Sequence, residues 1–395
     1  MSAVMWFDDE LRQLEERGLR RRLRTVESAQ GREVVIDGRP VINFSSNDYL
    51  GLAAHPALVE ASQRASRDFG AGAGASRLIV GNLAAHDALE QTAARLCGAE
   101  AACLFNSGYH ANVGTISALA GRGDVVVSDE LNHASIIDGC RLSRAQVEVY
   151  RHGDVADAER RLASASGARR RLLVTDSLFS MDGDRAPLVP LSELARRYDA
   201  LLYVDEAHSM GTLGPGGRGV AAEAGVVPDV TVATLGKSFG SFGAFVLGTA
   251  SLREFLVNRA RSLVFTTGLP PSVLGASKAG LELVFGDEGE RRRRQLQQNV
   301  ARLAAIVGEL HLGNAPQSQI WPLLLGSESR AMTASSALFE EGLLGQGIRP
   351  PTVPEGACRI RFTLTATHEP GDMDRLRNGL SALRHQGLLL HEEKR

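Results

Sequence analysis

From about residue 56 to residue 285 the chain alternates between stretches whose apolar positions recur at helical spacing and short continuous apolar runs. The helix-like stretches include HPALVEASQRASRDF (55–69) and AAHDALEQTAARL (84–96). The apolar runs are AACLF (101–105), DVVVS (124–128), RLLVTD (171–176), ALLYVD (200–205), DVTVATL (229–235) and GAFVLG (243–248). Short runs of this kind, separated by helices, predict a mainly parallel sheet buried on both faces. Such sheets bind ligands beyond the carboxyl ends of their strands. Polar residues that follow the runs are therefore the first place to look for chemistry.

The flanks have a different pattern. Residues 7 to 24 place Phe7, Leu11, Leu14, Leu19 and Leu23 at roughly helical spacing. The basic stretch from Arg20 to Arg24 would then occupy the last turn, where cations suit the helix dipole. EVVIDGRPVINF (33–44) has two apolar runs around Asp37-Gly38, a strong hairpin signal. Two strands alone are marginally stable, so this arm is expected to dock elsewhere. From about residue 290 a charged helix, EGERRRRQLQQNVARLAAIVGEL, leads into strand, helix, strand and helix. Arg291 to Arg294 reads as a solvated helix face. The expected division is an arm over 1–55, a large α/β domain over 56–288 and a small α+β domain over 289–395.

Composition narrows the class. A formal net charge of −2 gives no general attraction to nucleic acid or to an anionic membrane. The cysteines Cys97, Cys103, Cys140 and Cys358 form no C-x-x-C pair and no zinc-like spacing. Their scatter fits reduced thiols packed as small hydrophobes in a cytoplasmic protein, and no metal site is expected. The start, MSAVMWFDDELRQLEERG, lacks the apolar core of a signal peptide, and its acids argue against a transit peptide. No apolar run approaches the length that spans a bilayer. Glycine is the outlier, with 42 residues. Many sit beside polar residues at loop-like positions, which suits an enzyme whose backbone approaches a ligand closely.

Three strand ends carry candidate chemistry. LLYVDEAHS ends an apolar strand at Asp205, with His208 three residues on. A buried aspartate needs a cationic or hydrogen-bonding partner. A protonated pyridine nitrogen would serve, as in enzymes of pyridoxal phosphate (PLP), and so would a cap of the following turn. DVTVATLGKSFGSFGAF sets Lys237 after a strand among Gly236, Gly240 and Gly243. There its amine could act as a carbonyl nucleophile or be an ordinary solvated lysine. VTDSLFSMDGDRAPL places Asp176 at a strand end and Ser180 in the loop that follows. These short polar groups could orient ring substituents.

Two further segments suit phosphate and ring contacts. Asn106-Ser107-Gly108-Tyr109 lies between a strand and a helix start near His110, where free amides can hold a phosphate or need a simple cap. His133, in DELNHASI, opens another helix and could lie flat on a heteroaromatic ring or be structural. Nucleotide motifs fail. Gly236-Lys237-Ser238 ends like a P-loop but has Thr231 where that motif needs glycine. FGAGAGASR (69–77) follows a helix instead of a strand, so the dinucleotide fingerprint does not apply, and the segment reads as a flexible, close-packed loop.

SSNDYLGL (45–52), the GAGASR segment, NSGYHAN (106–112), NHAS (132–135), SMDGD (180–184), VDEAHS (204–209) and TLGKSFG (234–240) together resemble the α-oxoamine synthases. The match runs in order along nearly the whole chain. ASRLIVGN (75–82) and RPPTVPEGACRIRFTLTATHE (349–369) are most similar to the members that serve biotin synthesis. The resemblance implies the PLP-dependent transferase fold of type I, like that of aspartate aminotransferase. It implies PLP held as a Schiff base on Lys237, with Asp205 against the pyridine nitrogen and His133 over the ring. His208 and Ser180 would contact the ring hydroxyl, and Gly108, Tyr109 and Thr234 the phosphate side. Arg361 with Asn47 would receive the amino-acid carboxylate. Arg21, one of three adjacent arginines Arg20 to Arg22, would contact the acyl substrate with Thr352. A homodimer with shared active sites is also implied, with Thr266 and Thr267 as candidates from the second subunit. Departures are Asp176 for an expected glutamate, Val80 for serine and Met210 for threonine.

The implied reaction joins L-alanine to pimeloyl-CoA, or a carrier-protein thioester, with loss of CoA and carbon dioxide. Rival readings are an oxoamine synthase that takes glycine or serine with another acyl-CoA, an aminotransferase, and a non-catalytic protein on the same fold.

Overall fold

The computed structural model describes residues 5–390. It divides into two compact units. One takes the N-terminal residues to Ser46, Met181–Gly183 and the chain from Leu296; the other takes Asn47–Ser180 and Asp184–Gln295.

Helix α1 spans Met5–Glu16, shorter than the predicted 7–24. Gly18 has φ +66. The amides of Gly18 and Leu19 donate back to Glu15 and Leu14 carbonyls at 2.9 and 2.8 Å. That is a Schellman closure on a left-handed glycine, and it stops the helix before the arginines. Arg20 to Arg24 are therefore not a helix end, and the dipole account of them falls.

The hairpin forms as expected: β1 (Glu33–Ile36) pairs antiparallel with β2 (Arg39–Asn43). Asp37 and Gly38 both have positive φ, 52 and 68, as a tight two-residue turn requires.

The larger unit holds helices α2 (Pro56–Phe69), α3 (Ala84–Cys97), α4 (Gly108–Leu119) and α5 (Ala134–Ser143) around one sheet. Its strands are β3 (Ala101–Phe105), β4 (Val125–Asp129), β5 (Gln146–Tyr150), β6 (Arg171–Asp176), β7 (Leu201–Asp205), β8 (Val230–Thr234) and β9 (Ala244–Gly248). Their order is β3-β9-β8-β7-β6-β4-β5. β9 runs antiparallel to β3 and β8, and the other pairings are parallel. Leu172 and Val174 of β6 enter one apolar cluster while Leu173 enters another. Both faces are thus buried, which is why the strands read as unbroken apolar runs. β5 escaped the sequence reading because it is an edge strand, QVEVY, with most side chains exposed or half-exposed.

The smaller unit continues with β10 (Ile320–Gly326), β11 (Leu343–Leu344), β12 (Gln346–Ile348) and β13 (Cys358–Thr363). β11 pairs in parallel with β2. The arm as far as Ser46 is thus part of the unit that begins again at Leu296, while residues 47–55 fall in the larger unit, whereas the sequence division made 1–55 an arm separate from both domains. The signal for that pairing is a strand of two residues, too short to read as periodicity.

The charged helix Asp287–Glu309 corrects another expectation. Arg293 is 5% exposed and donates to the carbonyls of Val284 and Gly211 at 2.7 and 3.3 Å. Arg292 donates to those of Leu50 and Gly51 at 2.7 and 3.1 Å. The run is a solvated face only at Arg291 and Arg294. The other two cap backbone carbonyls within the larger unit.

Candidate active site

Neighbouring parallel strands end on polar residues: β4 on Asp129, β6 on Asp176, β7 on Asp205 and β8 on Thr234. Register sets Asp176 beside Asp205. A cavity of about 230 Å³ is lined by Asn47, Gly108, Tyr109, His133, Asp205, His208, Thr234 and Lys237. Residues drawn from widely separated motifs therefore share one wall. Asn112, Ser135 and Asp176 line it too. Ser180 is half-buried in the turn after β6 and is not among the lining residues.

Asp205 is 3% exposed. Its Oδ2 accepts from Asn112 Nδ2 at 2.7 Å and its Oδ1 from the Ala207 amide at 2.8 Å. The aspartate caps its turn, as one of its two readings expects, and it also lines the cavity. Asn112 is itself fixed, accepting from the Tyr203 hydroxyl at 2.7 Å and donating to Ser135 Oγ at 2.8 Å. The sequence reading missed Asn112. It lies four residues from Gly108 on α4, so the two share a helix face, and that spacing was the available signal.

Lys237 follows β8, and its Nζ stands 2.8 Å from Nε2 of His208. The other ring nitrogen, Nδ1, lies 2.7 Å from the Tyr49 hydroxyl. Tyr49 was also missed, because a fully buried tyrosine reads as core.

His133 caps the start of α5. Its Nδ1 meets Ser135 Oγ at 2.7 Å, and its backbone amide donates to Asp176 Oδ2 at 2.7 Å. Burial holds the His133 imidazole below its usual pKa, with the Lys237 charge adding to that effect. Burial, followed by the neighbouring Asp205 charge, pushes the Asp176 carboxyl well above the usual range. The two effects favour a neutral ring and a protonated acid in the cavity wall.

The phosphate end can be tested for fit. A Cβ on Gly108 would stand 2.6 Å from Thr234 Cγ2, so only glycine leaves that cradle open. Thr234 Oγ1 is buried with no hydrogen-bond partner among the described residues. It lines the cavity beside the first residues of α4, whose amides have no partner within the helix. Such a helix start favours an anion. An amine for an aldehyde, a carboxylate for a protonated ring nitrogen and an anion cradle together fit PLP.

Of the remaining predicted residues, Arg21, Thr352 and Arg361 belong to the smaller unit, and Thr266 and Thr267 to the larger. Arg21 Nη2 donates to Thr352 Oγ1 at 3.1 Å. Arg20 and Arg22 instead pair with Glu15 at 3.2 and 3.5 Å. Of the three arginines, Arg21 is the one that meets Thr352. Arg361 is buried on β13, opposite Pro322 and Gln346. Thr266 and Thr267 meet Asn106 of the same chain, at 3.3 Å to the hydroxyl and 2.9 Å to the carbonyl.

Residues 39–380 match the family described as aminotransferase class I and II. The chain is 52% identical over 369 residues to 8-amino-7-oxononanoate synthase of Geobacter sulfurreducens, covering 93% of this chain and 94% of that protein. It is 48% identical over 388 residues to the enzyme of that name from Anaeromyxobacter dehalogenans, covering 96% of each. Among solved structures it resembles serine palmitoyltransferase of S. paucimobilis, described with a bound PLP–myriocin aldimine. That likeness has a TM-score of 0.93 and 30% identity, over 98% of this chain and 100% of the other. It also resembles 8-amino-7-oxononanoate synthase of Francisella tularensis, with a TM-score of 0.76 and 27% identity, over 88% and 98% of the two chains.

Proposed function

The chain belongs to the class I and II aminotransferase family, and from that premise we propose that it condenses L-alanine with a pimeloyl thioester to give 8-amino-7-oxononanoate, the free thiol of the acyl carrier and carbon dioxide, in biotin synthesis. The observation that carries this reading is the likeness over 93% of the chain to an enzyme of that name. The cavity that gathers Lys237, Asp205, His208 and His133 supports it.

When bound, PLP supplies an aldehyde for an amino group and a ring that withdraws electrons from the carbon attached to that amino group. The chain's own residues do the rest. Lys237 would hold the aldehyde covalently, and its amine, when free, would serve as the base for the Cα proton. Asp205, oriented by Asn112, would hold a protonated ring nitrogen, whose charge would favour negative charge at Cα. His133 would cover the ring face. The amides of Gly108 and Tyr109 and the hydroxyl of Thr234 would hold the phosphate. His208, which lines the cavity, would hold the ring hydroxyl, with Ser180 beyond that lining. Asn47 and Arg361 serve the alanine carboxylate, while Arg21 and Thr352 serve the acyl chain and its carboxylate.

A homodimer is part of this reading, with Thr266 and Thr267 serving the phosphate site of the second subunit. Exposed apolar residues on the larger unit support it, among them Ile79, Val80 and Phe265 at 73, 72 and 71%. The antiparallel bridge between Ser76 and Thr267 brings the segments that carry them together, and clustered apolar exposure marks an association surface. A cytoplasmic setting accords with this reading, and no helix among the described residues is long and apolar enough to cross a membrane.

A second reading, condensation of serine with a longer acyl thioester, draws on the serine palmitoyltransferase likeness at 30% identity. The lower identity makes it the weaker one. Borohydride reduction followed by peptide mapping tests the shared chemistry, with cofactor mass expected on Lys237 and on no other lysine. Thiol release from pimeloyl-CoA separates the substrates, with alanine expected to outpace glycine and serine. Lys237→Ala should release no thiol. Near-normal product from that variant, or faster release with serine and palmitoyl-CoA, would overturn the corresponding assignment.

A further inference from the structure

Tyr49 has no exposed surface. Its hydroxyl lies 3.1 Å from Asn47 Oδ1 and 2.7 Å from His208 Nδ1. Nε2 of the same imidazole lies 2.8 Å from Lys237 Nζ. All four side chains belong to the larger unit. They form an unbroken polar file from an amide to the amine that is assigned the cofactor.

The chemistry at the two ends orders the protons between them. A lysine ammonium can only donate, and an amide oxygen can only accept. A neutral imidazole carries one N–H, so a ring that accepts from Lys237 at Nε2 bears its proton on Nδ1. Nδ1–H then donates to the Tyr49 oxygen, and the tyrosine's single hydrogen goes to Asn47 Oδ1. The opposite order would turn N–H against ammonium at one end and oxygen against oxygen at the other. With Lys237 as the ammonium and the Asn47 oxygen towards Tyr49, one arrangement satisfies every contact in the file.

We propose that Tyr49 is a positioning residue for the reaction. It fixes His208 as the Nδ1–H tautomer and so aims an Nε2 lone pair at Lys237. The lone pair stabilises the lysine in its released, protonated form, the form it takes after accepting the substrate proton. Only that last consequence rests on the function proposed above. The tautomer is a property of the chain and is read without cofactor. Failure to find cofactor on Lys237 would overturn the function and leave the tautomer standing.

The test is nitrogen NMR of full-length protein labelled at histidine, after removal of cofactor, with His208→Gln identifying the signal. Wild type should show Nδ1 protonated and Nε2 bare. Tyr49→Phe keeps the ring packing but removes the hydroxyl acceptor from Nδ1, so the signature should shift towards Nε2–H. In the holoenzyme the same variant should lose about tenfold in kcat, with the KM for alanine changed less than about twofold. Protonated Nε2 in the wild type, an unchanged ring signature in the variant, or wild-type turnover by the variant each overturns the proposal. Should Tyr49→Phe fail to fold, the wild-type spectrum still decides.

Discussion

Gly108 faces Thr234 so closely that a Cβ built on the glycine would meet the threonine's Cγ2 at 2.6 Å. Threonine is stiff about χ1, so its methyl cannot swing away cheaply. The contact sits where the cavity meets the first turn of α4, the part assigned to the phosphate.

Gly108→Ala is therefore expected to close the cradle. Overpacking costs about 1–3 kcal/mol, which as a binding loss is roughly a tenfold to hundredfold rise in the Kd for PLP. Thr234→Ser removes the obstructing methyl and keeps the hydroxyl. Added to Gly108→Ala, it should recover most of the affinity. Fluorescence titration with PLP measures all three proteins. A double variant no better than Gly108→Ala would show that the clash is not the cause.

Asp176 presents a separate case. Its Oδ2 accepts the His133 amide at 2.7 Å, and burial raises its pKa, which favours a neutral acid. Asn is neutral, similar in shape and still able to accept, so Asp176→Asn should keep kcat/KM within about threefold. Asp176→Ala leaves the His133 amide without this acceptor, at a cost of about 1–3 kcal/mol. Turnover in that variant should fall about tenfold or more. Equal losses in the two variants would mean that the negative charge, and not the hydrogen bond, matters at this position.

Much of this site was legible in the sequence because strand ends leave a clear mark. An apolar run that stops at Asp176 or Asp205 fixes a position in the sheet, and the register then brings these two side by side. Lys237 and Thr234 follow from the same logic. Tyr49 and Ser135 were missed because their partners His208 and Asn112 lie far along the chain, and for Asn112, which reaches Asp205, the four-residue spacing from Gly108 was the one trace. The arginines failed for a related reason. Arg20 to Arg24 appeared to end a helix that Gly18 had already closed, and Arg291 to Arg294 appeared uniform until packing turned two of them inward.

That split within one run can be measured. Arg293 donates to two carbonyls from a buried position, whereas the Arg294 side chain is 62% exposed and pairs with Glu290. Arg293→Ala strands those carbonyls and should cost about 2–4 kcal/mol in urea unfolding. Arg294→Ala should stay within about 0.5 kcal/mol of wild type. Similar midpoints for the two variants would restore the picture of a uniformly solvated face.

His152 carries a prediction about pH. Its Nδ1 lies 3.0 Å from Asp129 Oδ1 and its Nε2 2.7 Å from Asp184 Oδ2, with the ring edge-on to Phe179. The Asp129 bond, then the Asp184 bond, raises its pKa from 6.5 to about 10. The imidazolium is thus favoured in the folded chain more than in the unfolded one, so protonation is coupled to folding. Its stabilising effect should be complete below pH 6.5 and vanish as the pH rises through about 10. His152→Gln cannot become charged and serves as the reference. The Tm of wild type should exceed that of His152→Gln most at mildly acidic pH, and the gap should shrink steadily towards alkaline pH. Other groups titrate over the same range, but they are common to both proteins and cancel in the difference. A gap that stays constant, or widens as the pH rises, would mean that His152 does not fold as a cation between the two carboxylates.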